Sequence, residues 1–216
     1  MADATHSVYP TLIPVTEELR GPRVALRRQR ASDAADLFAA MEASRARLTP
    51  WLRIPDALQT VEATRDWLIR REAGWLLREI LSFTIRHGET RNYLGNIELH
   101  HTEIGPIEWQ RRFLALGYWL RDGAEGQGYM SEAAQLVTDY AFTDLAAKKV
   151  IIRCDARNTR SVAVAERLGF VLEARLRGEA HTKDGAVADE LQYALIPDDP
   201  RWPITESQHG SAKSCY

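Results

Sequence analysis

Residues 121–134 read RDGAEGQGYMSEAA. An apolar run, FLALGYWL (113–120), precedes them, and a helical pattern, QLVTDYAFTDL (135–145), follows. Gly123, Gly126 and Gly128 thus stand between an expected strand and an expected helix, and the helix opens on Tyr129, Met130 and Ser131 with no acid. Glycine lets backbone approach a ligand closely, and a helix start presents unpaired N–H groups with a partial positive charge. Together they suit a phosphate group. The same glycines also suit a loop that needs only turn geometry. The rest of the chain has to separate the two readings.

The 216 residues are 45% apolar and carry a net charge of −2 from 28 basic and 30 acidic side chains. That is enough apolar material for one large domain with a substantial core. With no global basic field, nucleic acid is not an expected partner, and the scattered arginines read as solvated surface. Cys154 and Cys215 form no disulfide framework. A reducing, cytoplasmic setting is expected. MADATHSVYP lacks the basic start and apolar core of a signal peptide. No segment approaches the ~20 apolar residues that span a bilayer. No metal is expected, because no ligand cluster has useful spacing.

Along the chain, residues 1–19 read as irregular. VALRR (24–28) alternates as a strand, and Ser32 suits the N-cap of a helix to about Ser44, with Ala35, Leu37, Phe38 and Met41 on one face. RLTPWLRIPDALQ (47–59) is a loop, and Thr60 caps a helix directing Trp67, Leu68 and Trp75 to the core. LSFTIRH (81–87) and YLGNIELHH (93–101) form a hairpin, and an excursion, TEIGPIEWQRR (102–112), leads to FLALGYWL. After the glycine loop and its helix come a buried strand, KVIIRCD (149–155), and a short helix over 161–168 ended by Gly169. Strands near FVLEARLR (170–177) and ADELQYALI (188–196) flank the turn TKDGA (182–186). The expected order is β-α-α-β-β-β-α-β-α-β-β, an α/β arrangement in one domain over 20–196, with a polar tail over 197–216.

GQGYMS approximates the dinucleotide fingerprint GxGxxG, but Ser131 replaces the third glycine and RDGAE intervenes after the strand. Only about 60 residues follow Asp155, too few to complete a doubly wound sheet. A second motif, DARNTRSVAVAERLGF (155–170), favours another reading. Taken with RVALRRQRASDAADLF (23–38), GYWL, EGQGYMSEA and KDGAVADELQYAL (183–195), it resembles the Gcn5-related N-acetyltransferase (GNAT) superfamily, and within it the RimJ/RimL type that acetylates ribosomal-protein N-termini. The resemblance spans about residues 20–196 and implies a GNAT fold with a mixed, splayed sheet.

That resemblance implies acetyl-CoA as acetyl donor, with its pyrophosphate held by backbone N–H groups of Glu125, Gly126, Gln127, Gly128, Tyr129 and Met130. Glu125 departs from the family's usual Gln or Arg, and Met130 from its Gly or Ala. A carboxylate facing a pyrophosphate is repelled, so Glu125 is expected to point to solvent. Tyr118, Trp119 and Leu120 fall where the family's strand pairs with pantetheine, although their side chains also suit plain core packing. Asn158 falls on a CoA-contacting asparagine and is equally a helix cap. Ser161 falls on the RimL-type acid that protonates the departing thiolate, and is equally a first-turn residue.

Many relatives carry an acid two residues before the GY of this strand, where this chain has Ala115. At pH 7.5 an α-amino group with pKa ~7.8 is roughly one-third neutral, and a lysine at ~10.4 about 0.1%. A missing base therefore favours a protein N-terminus as acceptor. Glu98, His100, His101, Glu108, Glu179 and His181 are candidate substitutes. His100 and His101 face opposite ways on a strand. Glu179 and His181 fall near the RimL-type base, in a stretch one residue longer here. Glu98 and Trp51 are the expected acceptor contacts, Trp51 being equally suited to anchor its loop. An acetyltransferase for a small amine, or a non-catalytic acyl-CoA-binding domain, are the competing readings. A monomer or a homodimer is expected, with no membrane partner.

Overall fold

The computed structural model describes residues 10–52, 58–101, 112–181 and 187–200. Eight strands form one sheet in the order β1-β2-β3-β4-β5-β6-β8-β7. The strands are β1 (Glu18–Arg20), β2 (Val24–Arg28), β3 (Ile80–His87), β4 (Tyr93–His101), β5 (Phe113–Leu120), β6 (Lys149–Asp155), β7 (Val171–His181) and β8 (Val187–Leu195). The helices are α1 (Ala34–Leu48), α2 (Val61–Leu77), α3 (Tyr129–Thr143) and α4 (Thr159–Arg167). Every neighbouring pair is antiparallel except β5 with β6, the pair that α3 connects. The expected α/β class, mixed sheet and single crossover are therefore observed.

Period-two alternation assigns the two faces. Leu114, Leu116, Tyr118 and Leu120 of β5 join the larger core with Ile97 and Leu99 of β4 and Val150 and Ile152 of β6. α3 covers this face through Met130, Ala133, Ala134, Val137, Tyr140 and Ala141, spaced as one stripe of a 3.6-residue repeat. On the other face, Trp119 packs with Tyr93 and the inward stripe of α1 and α2, Ala34, Leu37, Ala40 and Leu68.

Several expectations shift. β1 and a 3-10 turn at Pro10–Leu12 lie within the stretch read as irregular. Ser32 does not cap α1. A 3-10 turn at Ala31–Asp33 precedes the helix, with Asp33 Oδ2 accepting from the Arg30 N–H at 2.8 Å. Asp33 is held by Arg27 and Arg86, long-range partners that local cap propensity does not register. Ala35 is exposed, and the buried stripe runs through Ala34, Leu37, Met41 and Leu48. Thr60 caps α2 as expected, accepting from the Ala63 N–H at 3.1 Å, and Gly169 adopts φ 76° after α4. Glu108, the turn 182–186, the side chain of His181, Cys215 and the tail from 201 lie outside the described residues.

Candidate active site

β5 and β6 pair only through Phe113, Leu114 and Ala115 with Lys149, Val150 and Ile151. Beyond that point they part, and a cavity of about 1050 Å³ opens between residues 116–120 and Arg153, Cys154 and Asp155. α3 starts at one end of this cleft, α4 flanks it, and Leu48, Trp51 and Leu52 reach it from α1.

At the α3 end the backbone is turned by Gly123, Gly126 and Gly128, with φ of 78°, 73° and 79°. These are left-handed values that cost a side chain about 1–2 kcal/mol. The turn reading thus holds for these glycines. Gly128 is the N-cap and no side chain caps the helix. The first helical bond is Glu132 N–H to Gly128 O, at 3.1 Å. The N–H groups of Tyr129, Met130 and Ser131 precede it without helical acceptors. Glu132 turns away, accepting from the backbone N–H groups of Arg23 and Val24 at 2.7 and 3.0 Å.

At the α4 end, Ser161 Oγ lies 2.9 Å from the Tyr118 hydroxyl, and Cys154 lines the cleft with both. Burial pushes the Tyr118 phenol far above its usual value, so it stays a proton donor, and burial likewise raises the Cys154 thiol. Asn158 Oδ1 accepts from the Ser161 N–H at 3.2 Å, so the cap reading of Asn158 holds while the residue also lines the cleft.

Of the residues expected to meet the cofactor, Tyr118, Trp119, Leu120, Glu125, Gly126, Gln127, Gly128, Met130 and Asn158 line the cavity. Tyr129 is not among the lining residues, and its ring packs edge-on to His87, 5.7 Å between centroids. Met130 is buried in the core. Tyr118 departs from plain core packing through its bond to Ser161. Trp51 lines the cleft and is 39% exposed, whereas Glu98 sits behind Gly117 on the far side of β5.

The expectation that Glu125 faces solvent is overturned. Its carboxylate forms a 2.6 Å ion pair with Arg47 and lies 3.9 Å from Arg160. Arg47 also donates to Leu120 O at 2.7 Å. A neighbouring cation removes the repulsion that argued for solvent.

The arginines were the larger omission. Arg23, Arg47, Arg153, Arg160 and Arg167 all line the cleft. Arg23 donates to Gln127 O at 2.8 Å and pairs with Glu132, bracing the glycine turn, while Arg167 donates to Ser131 Oγ at 2.9 Å beside the open helix end. They come from the turn before β2, from α1, β6 and α4, so no local sequence signal gathers them. The cleft acids Glu125, Glu132 and Asp155 are each ion-paired, leaving a cationic cleft fitted to a phosphorylated donor.

A family model described as an acetyltransferase (GNAT) domain matches residues 23–171. The chain belongs to the GNAT acetyltransferase family. It carries an acetyl-CoA-dependent N-acetyltransferase domain. The GNAT fold is also that of a solved RimL, titled a ribosomal L7/L12 α-N-protein acetyltransferase in complex with coenzyme A. That structure superposes with a TM-score of 0.72 at 26% identity over 85% of this chain and 97% of that one. The ribosomal-protein-serine acetyltransferase of Escherichia coli K12 is 29% identical over 152 residues, 61% of this chain and 84% of that protein. A Bacillus subtilis protein, YdaF, named as a candidate ribosomal N-acetyltransferase, is 31% identical over 102 residues. That match spans 47% of this chain and 52%, about half, of YdaF. Among the described residues of this GNAT domain, no group of three His, Cys, Asp or Glu could hold a metal, and no helix is long and apolar enough to cross a membrane.

Proposed function

We propose that this protein transfers the acetyl group of acetyl-CoA to a protein N-terminal α-amino group, in a cytosolic setting. The observation that carries the reading is the cleft with an uncapped, glycine-turned helix start at one end and the Tyr118–Ser161 pair at the other. Phosphates belong at the first end, with Arg23 and Arg167 beside them, and the thioester at the second. Tyr118 donates to Ser161 Oγ, which frees the Ser161 proton for the departing sulfur. The amine attacks the carbonyl carbon directly, the C–S bond breaks, and the sulfur takes the Ser161 proton as it leaves. The solved RimL is titled with coenzyme A in a disulfide to one of its cysteines. Cys154 lines this cleft together with Ser161, which supports putting the sulfur at the same end.

An α-amine acceptor is supported by the ribosomal-protein acetyltransferases among the relatives. A polycationic small amine is disfavoured by a cleft whose acids are already paired with arginine. A thiol-release screen over peptides with free N-termini, lysine peptides with blocked N-termini, and polyamines tests this. Turnover is expected with the free N-termini. Preference for lysine or polyamines overturns the acceptor, and no turnover with any amine overturns catalysis.

A further inference from the structure

The cleft as described lacks a group to take the proton from the attacking amine. Position 115, where many relatives carry an acid, is a buried alanine facing the α1–α2 side of the sheet, opposite His100. One pair further along the same face, Glu98 of β4 stands opposite Gly117 of β5. Gly117 lines the cleft. A methyl group at 117 would sit 3.3 Å from both Glu98 Cγ and Glu98 Oε1, so the carboxylate occupies the space that a side chain on β5 would fill. Adjacent strands lie only ~4.8 Å apart, within reach of a glutamate.

The partners of Glu98 aim it. Ser82 Oγ donates to Oε2 at 3.3 Å, and Arg71 lies 3.8 Å from the same oxygen, its guanidinium stacked 4.5 Å over Trp67. Oε1, the oxygen beside Gly117, accepts no hydrogen bond among the described residues. β5 and β6 pair no further than Ala115, and beyond that point Gly117 and Trp119 of this face line the same cleft as Tyr118 and Ser161 of the other.

We infer that Glu98, reaching over the bare backbone of Gly117, is the general base of the acetyl transfer. It replaces from β4 the acid that is absent from β5. The amine enters from the α1–α2 face and gives its proton to Oε1 as its nitrogen bonds to the acetyl carbon. The sulfur leaves on the opposite face and takes the Ser161 proton. The amine thus loses one proton and the thiolate gains one, and exchange with water returns Glu98 to its carboxylate and Ser161 to its hydroxyl. The inference rests on the acetyl-transfer reading above.

The test is Glu98→Gln, with Ser82→Ala and Arg71→Ala as companions, assayed with an accepted N-terminal peptide. Melting curves and calorimetric binding of acetyl-CoA accompany the kinetics. Glu98→Gln is expected to lower kcat about 100-fold, with acetyl-CoA affinity and melting unchanged, and the two companions to lose at least tenfold less. Arg71 is the charge facing Glu98 from α2, His100 is the titratable neighbour on its own strand, and β3 and β5 present only Ser82, Ala115 and Gly117. Wild-type turnover matched by Glu98→Gln overturns the role of Glu98 alone. So do equal losses in all three variants. Silence of the wild-type protein with every acceptor overturns the acetyl-transfer reading instead.

Discussion

α3 and α4 both begin beside the cleft and begin differently. α4 is capped: Asn158 accepts from the Ser161 N–H, and the chain supplies what the helix start needs. α3 begins on Gly128, and no side chain caps it. Its nearest acid, Glu132, serves the backbone of Arg23 and Val24 instead. A capped start is a stability element, worth about 1 kcal/mol. An uncapped start with backbone bared by glycine keeps its donors for a ligand. The difference supports the proposed phosphate seat at α3, with α4 carrying Ser161.

Substitutions can break that contrast. Gly128→Glu should have the largest effect, weakening acetyl-CoA binding at least about 100-fold, because a carboxylate would stand where phosphate charge belongs. Its positive φ and the Arg23 guanidinium 3.1 Å from the new Cβ add strain, so Gly123→Ala is the control, with φ 78° and nothing within 4 Å of its Cβ. Calorimetry should find near-normal affinity in the control, and equal losses in both variants would refute the phosphate seat.

Ser161→Ala should come next, lowering kcat roughly ten- to a hundredfold with KM for acetyl-CoA little changed. A thiolate leaves readily and needs modest help. Tyr118→Phe keeps the packing and removes the hydroxyl that pairs with Ser161, so its kcat should fall less. A Ser161→Ala enzyme with unaltered kcat would reduce Ser161 to a helix residue.

The smallest effect belongs to Asn158→Ala. Loss of the cap should cost about 1 kcal/mol, read as a melting temperature lower by roughly 2–4 °C. A melting curve that does not move would refute the cap, and with it the contrast between the two helices.

The sequence was most legible where function depends on neighbours in the chain. The glycine turn before α3, the Asn158–Ser161 spacing, the Thr60 cap and the β5–α3–β6 crossover all depend on backbone geometry over a few residues, which residue type largely dictates. It was least legible for side chains whose partners are distant. Glu125 read as a solvent-facing acid because Arg47, on α1, is invisible to local inspection. Arg23 and Arg167 read as surface for the same reason.

By itself, then, the sequence determined the order of elements, the alternation that buries one face of each strand, and the glycine-turned start of α3. Only the tertiary structure decided that five scattered arginines share one cleft, that Tyr118 meets Ser161, and that Glu98 lies over Gly117. Register and packing bring those groups together, and pairing energies between charges or hydroxyls depend on distance in space, which separation along the chain does not reveal.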